Sequence, residues 1–150
     1  MRRTRTLETL IGRLYLESED GCLTRVSFTE REAGAAPDAV LNTAADQLRE
    51  YFSGARKTFD LPLRPAGTPF QQSVWRALQA IPYGKTASYR DIARAIGNEN
   101  ACRAVGGANH VNPIPIVIPC HRVVGARGAL TGYAGGIEIK KQLLELEQNR

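Results

Sequence analysis

No run of eighteen apolar residues occurs in the chain, so no helix is expected to cross a membrane. The start Met1-Arg2-Arg3-Thr4-Arg5 is basic, but no apolar segment follows it, and a secretory signal is not expected. Cysteine is scarce. Cys22, Cys102 and Cys120 make an odd number without framework spacing, which argues against a disulfide scaffold and for a reducing, cytoplasmic setting. There is no Cys-x-x-Cys pair, and only His110 and His121 could add ligands, so no metal site is expected. What remains is a 150-residue chain, 43 % hydrophobic, long enough for one domain or two small ones with a real core. Its net charge of +5 permits a polyanionic partner without demanding one.

The first third reads as strands: one around residues 4–10, a second from Arg13 to Glu17 with Leu14 and Leu16 on one face, and a third from Cys22 to Phe28. Asp20-Gly21 is a type I′ turn signal between the last two. Residues 30–38 are rich in Ala, Gly and charge and read as a surface loop. Leu41, Ala44, Ala45, Leu48, Tyr51 and Phe52 then recur at helical spacing, closed by Gly54. Phe59, Leu61 and Leu63 alternate as an extended segment, which Pro62 and Pro65 confine to an edge or linker. A domain boundary is expected at residues 64–67, giving domains 1–66 and 67–150. No polar cluster in the first domain looks chemical, and it reads as a scaffold.

The second domain opens with Thr68-Pro69-Phe70-Gln71, a helix start, followed by the stripe Phe70, Val74, Leu78 and Ile81 with Trp75 as a core residue. Ser88-Tyr89-Arg90-Asp91 starts a second helix that stops at Gly97. A third is expected over 101–109, with Ala101, Ala104, Val105 and Ala108 inward and Arg103, Gly107 and His110 outward. Two short helices about a Gly-containing turn are a helix-turn-helix pattern. Gly106-Gly107 inside a helix costs about 1 kcal/mol per glycine relative to alanine. Close approach of DNA or another chain explains that cost, and so does tight helix packing. The stretch Ile114-Pro115-Ile116-Val117-Ile118-Pro119-Cys120-His121-Arg122-Val123-Val124 reads as a buried strand that holds a thiol, an imidazole and a guanidinium in a row. A free cysteine with pKa about 8.5 is only about 3 % thiolate at neutral pH, and a neighbouring cation favours the anion. The same motif fits a nucleophile or a plain core strand. A hairpin-type turn is expected at residues 125–128, with 129–133 returning. The last helix, 138–148, is expected to turn Ile139, Leu143 and Leu146 inward, with Lys140 and Lys141 in solvent or on phosphates.

Taken together, Arg103-Ala104-Val105-Gly106-Gly107-Ala108, Asn112-Pro113, Ile118-Pro119-Cys120-His121-Arg122-Val123-Val124, Gly132-Tyr133-x-Gly135-Gly136 and Lys140-x-x-Leu143-Leu144-x-x-Glu147 resemble the O6-alkylguanine-DNA alkyltransferase family. The resemblance is close over 67–150 and loose over 1–66. It implies an α/β, ribonuclease-H-like first domain, a small antiparallel sheet plus a helix, followed by a mostly α winged helix-turn-helix domain. It implies single-turnover transfer of an alkyl group from O6 of guanine, and less efficiently O4 of thymine, to the protein's own cysteine, without a cofactor. The implied partner is double-stranded DNA entered through the minor groove, bound by a monomer. Carried over by motif, Cys120 is the acceptor, His121 takes its proton through a water, and Glu147 orients His121. Asn112 holds the segment, and Tyr89 donates to N3 of the leaving base. Tyr133, Gly135, Val123 and Ala134 line the base pocket. Arg103 fills the vacated stack, beside Gly106, Gly107 and Asn109 on the DNA face. Ala134 stands where many members carry Ser, which bears on the range of alkyl groups accepted. Three rival readings remain at this point: a lesion-binding relative without transfer, a winged-helix regulator whose Cys120 is only core or a redox sensor, and a cysteine hydrolase.

Overall fold

The computed structural model describes residues 1–149. It divides into two compact units, the first running from Met1 to Ala66 and the second beginning at Gly67.

In the first unit, β1 (Arg2–Thr9), β2 (Gly12–Glu19) and β3 (Cys22–Ser27) form an antiparallel sheet in sequence order. Pairing of Leu7 with Leu14 and of Leu16 with Val26 places the apolar positions on one face, and all four side chains are buried. Asp20 and Gly21 both take positive φ, 51° and 77°, as a type I′ turn requires. The face is covered by α1 (Ala39–Ser53), whose Leu41, Ala44, Ala45, Leu48, Tyr51 and Phe52 are buried. Asp38 caps α1 by accepting from the Leu41 N–H, and the same carboxylate accepts from the Ser18 hydroxyl of β2. One residue thus starts the helix and docks it on the sheet. Gly54 closes α1 at φ 86°. Residues 59–63 form only an isolated bridge, Leu63 with Leu23. Glu17 is buried between Arg2 and Arg31. Burial pulls its carboxyl upward, but the two guanidiniums outweigh that and hold it below its ordinary range.

In the second unit, Thr68 and Gln71 form a reciprocal capping box at the head of α2 (Pro69–Gln79), with Pro69 at its first position. Val74, Trp75 and Leu78 are buried, and the Trp75 indole donates to the Ala108 carbonyl at 2.9 Å. Trp75 is a core residue, as the sequence predicts. Ala87–Ser88 is β4, and a Ser88–Asp91 capping box starts α3 (Tyr89–Ala95). Gly97 turns at φ 78° into α4 (Cys102–His110), the second helix of the pair. β5 is Val123–Val124, and α5 is Ile137–Gln148. β4 and β5 pair in parallel, Ala87 with Val123 and Ser88 with Val124.

Four expectations need correction. The reactive stretch is no strand before Val123. Its prolines interrupt any ladder, and it folds as buried turns, with Ile118 N–H donating to Ile114 O and a short 3₁₀ turn over Cys120–Arg122. Ile116 sits at φ 74°, a left-handed conformation that a β-branched residue adopts only under constraint. Residues 129–133 form no returning strand, and the Gly125 N–H bonds back to Ala129 O instead. On α5 Leu143 is buried as predicted, but its buried companions are Lys140 and Glu147, while Ile139 and Leu146 are only half-buried. Ala104, expected inside, is exposed on α4. No helix among the described residues is long and apolar enough to cross a membrane.

Candidate active site

Residues 112–124 are buried without a break, and side chains from other elements reach them. Cys120 opens the 3₁₀ turn with 2 % of its surface exposed. Burial raises its thiol to about 11. Hydrogen bonding from Asn112, the charge of Lys140 and a smaller contribution from Tyr133 pull the other way without cancelling it. The resting sulfur is therefore a protonated thiol at neutral pH, because the nearby cation favours the anion without offsetting burial. Asn112 holds the segment at both ends. Its Nδ2 donates to Ile118 O at 2.9 Å, and its Oδ1 accepts from Ile114 N at 3.0 Å.

His121 is wholly buried, with Nε2 2.7 Å from Glu147 Oε2. A carboxylate only accepts, so Nε2 carries the hydrogen and Nδ1 presents a lone pair. That Nδ1 has no hydrogen-bond partner among the described residues. Burial pushes the imidazole below its ordinary value, Glu147 pulls it back up, and the charges of Arg122 and Lys140 push it down again. A neutral imidazole with its proton on the far nitrogen is the form that receives a thiol proton.

Glu147 is buried, not a surface carboxylate, and Arg122 neutralises it. Arg122 Nε meets Oε1 at 2.8 Å, and its Nη2 meets Oε2 at 3.1 Å. The remaining Arg122 donor, Nη1, reaches Ile81 O at 2.7 Å at the end of α2. The pair is bidentate, which sets the carboxylate's orientation as well as its charge. Lys140, expected in solvent or on phosphates, has no exposed surface. Its Nζ donates to Val123 O at 2.6 Å and to Thr131 O at 3.2 Å. Arg122 as a clamp, Lys140 as a buried cation and Thr131 as its partner were missed in the sequence. A signal existed for Lys140, since 140, 143 and 147 share a helix face.

Tyr89 begins α3, with its hydroxyl 2.5 Å from Thr131 Oγ1. Tyr133 is buried, Val123 is buried with its carbonyl taken by Lys140, Ala134 is exposed and Gly135 half-buried. On α4, Arg103 and Gly107 face solvent and Gly106 is half-buried. A Cβ on Gly106 would meet the Tyr89 ring at an ordinary 3.8 Å, and one on Gly107 would meet nothing within 4 Å. Packing within the protein therefore does not require either glycine. Asn109 does not join the outward face. It is 3 % exposed, and its Nδ2 lies 3.4 Å from Cys120 O, because the α4 turn places it on the side of Val105 and Ala108.

A buried thiol next in the chain to an imidazole bonded to a carboxylate, in a unit that carries a helix-turn-helix pair, suits a cysteine nucleophile on a DNA-binding architecture. Residues 69–149 match the model of the 6-O-methylguanine DNA methyltransferase DNA binding domain, and residues 3–65 match that of its ribonuclease-like domain. The constitutive methylated-DNA–protein-cysteine methyltransferase of Bacillus subtilis is 49 % identical, over 95 % of this chain and 93 % of its own length. The Methanosarcina acetivorans protein of the same activity name is 48 % identical, over 93 % and 94 %. The crystal structure of Mycobacterium tuberculosis O6-methylguanine methyltransferase superposes with a TM-score of 0.91 at 48 % identity, covering 100 % of this chain and 94 % of that one. The Mycobacterium tuberculosis OGT–DNA complex gives 0.92, over 98 % and 93 %. The chain belongs to the 6-O-methylguanine DNA methyltransferase family.

Proposed function

We propose that this chain repairs DNA directly, moving a methyl or larger alkyl group from O6 of guanine, and less efficiently from O4 of thymine, onto Cys120. The observation that carries the reading is the 2.7 Å His121–Glu147 bond, which leaves Nδ1 of a neutral imidazole as proton acceptor beside a thiol kept protonated by burial. Deprotonation then belongs to the reactive event. The thiol proton passes through a water to His121 Nδ1, and the sulfur attacks the O-alkyl carbon in line. The C–S bond forms as the C–O bond breaks, and the electron pair goes to the guanine oxygen. The Tyr89 hydroxyl donates to N3 as negative charge spreads over the leaving base. Glu147 stabilises the positive charge that forms on His121, and Arg122 holds Glu147. A thioether is not cleaved by water, so each molecule acts once.

The base must leave the duplex to reach this sulfur, at a cost of a few kcal/mol that is lower at a damaged pair. Arg103 enters the minor groove and fills the vacated stack, where a planar guanidinium both stacks and hydrogen-bonds. The open space at Gly107 supports close approach of the DNA backbone. Tyr133, Ala134 and Gly135 form the wall around the extruded base, with Val123 behind them. Asn109 supports the Cys120 backbone from within and has no DNA role in this reading. The protein acts as a monomer in a reducing compartment, in keeping with three free thiols, one of which must stay reduced to work.

Single-turnover incubation with O6-methylguanine duplex, followed by mass analysis, tests the reading. One methyl on the Cys120 peptide and none in Cys120→Ala is the expected result. More than one product per protein molecule would favour a hydrolase. Binding without modification would favour a recognition protein.

A further inference from the structure

We propose that Thr131 is the positioning residue for Tyr89: its hydroxyl donates to the tyrosine oxygen and so reserves the tyrosine's single proton for the leaving base. This rests on the reading of Tyr89 given above.

The two hydroxyls are 2.5 Å apart, and one proton lies between them. If Tyr89 supplied that proton, its oxygen would present only lone pairs to the pocket. Guanine N3 is itself an acceptor, and such an oxygen could not assist it. If Thr131 supplies the proton, the phenol hydrogen is free to turn to the base. A hydroxyl that accepts one hydrogen bond also donates a stronger one.

Thr131 is fixed for this task by a closed frame of contacts. Tyr89 follows directly on β4, whose Ala87 and Ser88 pair with Val123 and Val124 of β5. The Val123 carbonyl accepts from Lys140 Nζ at 2.6 Å, and the same ammonium reaches the Thr131 carbonyl at 3.2 Å. The Thr131 side chain then returns to Tyr89. Lys140 has no exposed surface, so its donors have no competing water, and it lies on the same α5 face as Glu147. One helix therefore supports both arms of the reaction: Glu147 behind the proton acceptor, and Lys140 behind the proton donor. The Thr131 methyl is seated against Gly125, where an added Cβ would come within 2.9 Å of it. Valine consequently preserves the shape while removing the hydroxyl.

The test is single-turnover transfer at saturating O6-methylguanine duplex by wild type, T131V, T131S, Y89F and Y89F/T131V, with DNA affinity and thermal midpoint measured for each. Losing one net hydrogen bond predicts transfer about three- to tenfold slower in T131V, at unchanged DNA affinity. T131S should recover most of the rate, and Y89F/T131V should be no slower than Y89F. A wild-type rate in T131V alongside a slow Y89F overturns the inference. So does a T131V penalty that multiplies onto Y89F, or a T131S as slow as T131V. A wild-type rate in Y89F removes the donor role of Tyr89, and this inference with it, while transfer to Cys120 would stand.

Discussion

Replacing Arg122 with methionine separates charge from packing at the centre of the site. The guanidinium makes two bonds to Glu147 and one to the Ile81 carbonyl. Without it, a carboxylate with no exposed side-chain surface loses its bidentate partner, and the contacts left to it include His121 and a long 3.4 Å approach from the Gly84 N–H. Removing one partner of such a buried pair costs about 3–5 kcal/mol, because the remaining charge stays uncompensated. The carboxylate then draws its countercharge from His121. Burial is the main force holding the imidazole below its ordinary value, and the repulsion from Arg122 adds to it. Loss of that repulsion moves the imidazole upward, toward an imidazolium at neutral pH, which cannot accept the thiol proton. Two measurements follow. Denaturant unfolding should show the stability loss. The pH profile of single-turnover transfer, flat through neutrality in wild type, should acquire an acid limb displaced to higher pH. In R122M/E147M, removal of both charges should restore part of the stability but none of the rate. An R122M protein of wild-type stability, or one whose acid limb does not move, would refute the electrostatic account of this site.

Gly67→Ala should destabilise the second unit by about 1–3 kcal/mol, since its Cβ would lie 2.3 Å from the buried Trp75 ring, and a thermal midpoint at the wild-type value would refute it. Glu17 is held below its ordinary range in the fold, so its contribution is present above the unfolded value of about 4.3 and is lost as pH falls through the folded one. E17Q should therefore lower stability at pH 7 and flatten the acid limb of a stability–pH curve between roughly pH 5 and pH 3. Because the Cys120 thiol stands at about 11, iodoacetamide labelling of the free protein should accelerate about tenfold per pH unit from pH 7 to pH 9.5. A plateau near neutrality would indicate a standing thiolate instead. Arg103→Ala should reduce the slope of log affinity against log salt by up to about one and slow transfer more than it weakens binding.

Local signals were the most legible. Thr68-Pro69-x-Gln71, Ser88-x-x-Asp91, Asp20-Gly21 and Gly54 each act within four residues, and each is found in the predicted conformation. The alternation that puts Leu14 and Leu16 on one face survives in the sheet, because a pleat has period two whatever packs against it. The 114–119 stretch misled because its apolar composition suits any buried backbone, while its two prolines exclude a ladder. The loop at 129–133 misled because its turn residues do not specify a returning partner. Lys140 was expected in solvent or on phosphates, yet its nitrogen has two carbonyls to satisfy it, and a buried cation is tolerated where its donors are met.

By itself the sequence determined most of the elements and, by motif, the family and the proposed acceptor cysteine, because caps, periodicity and a Pro-Cys-His-Arg string are written in neighbouring residues. Only the tertiary structure decided the chemical state of the site. A thiol raised to about 11, an imidazole held neutral, a carboxylate clamped by Arg122 and a lysine stripped of water all depend on groups distant along the chain. Burial and charge act through space, and folding alone brings residues 81, 122, 131, 140 and 147 within a few ångströms of the partners that set those states.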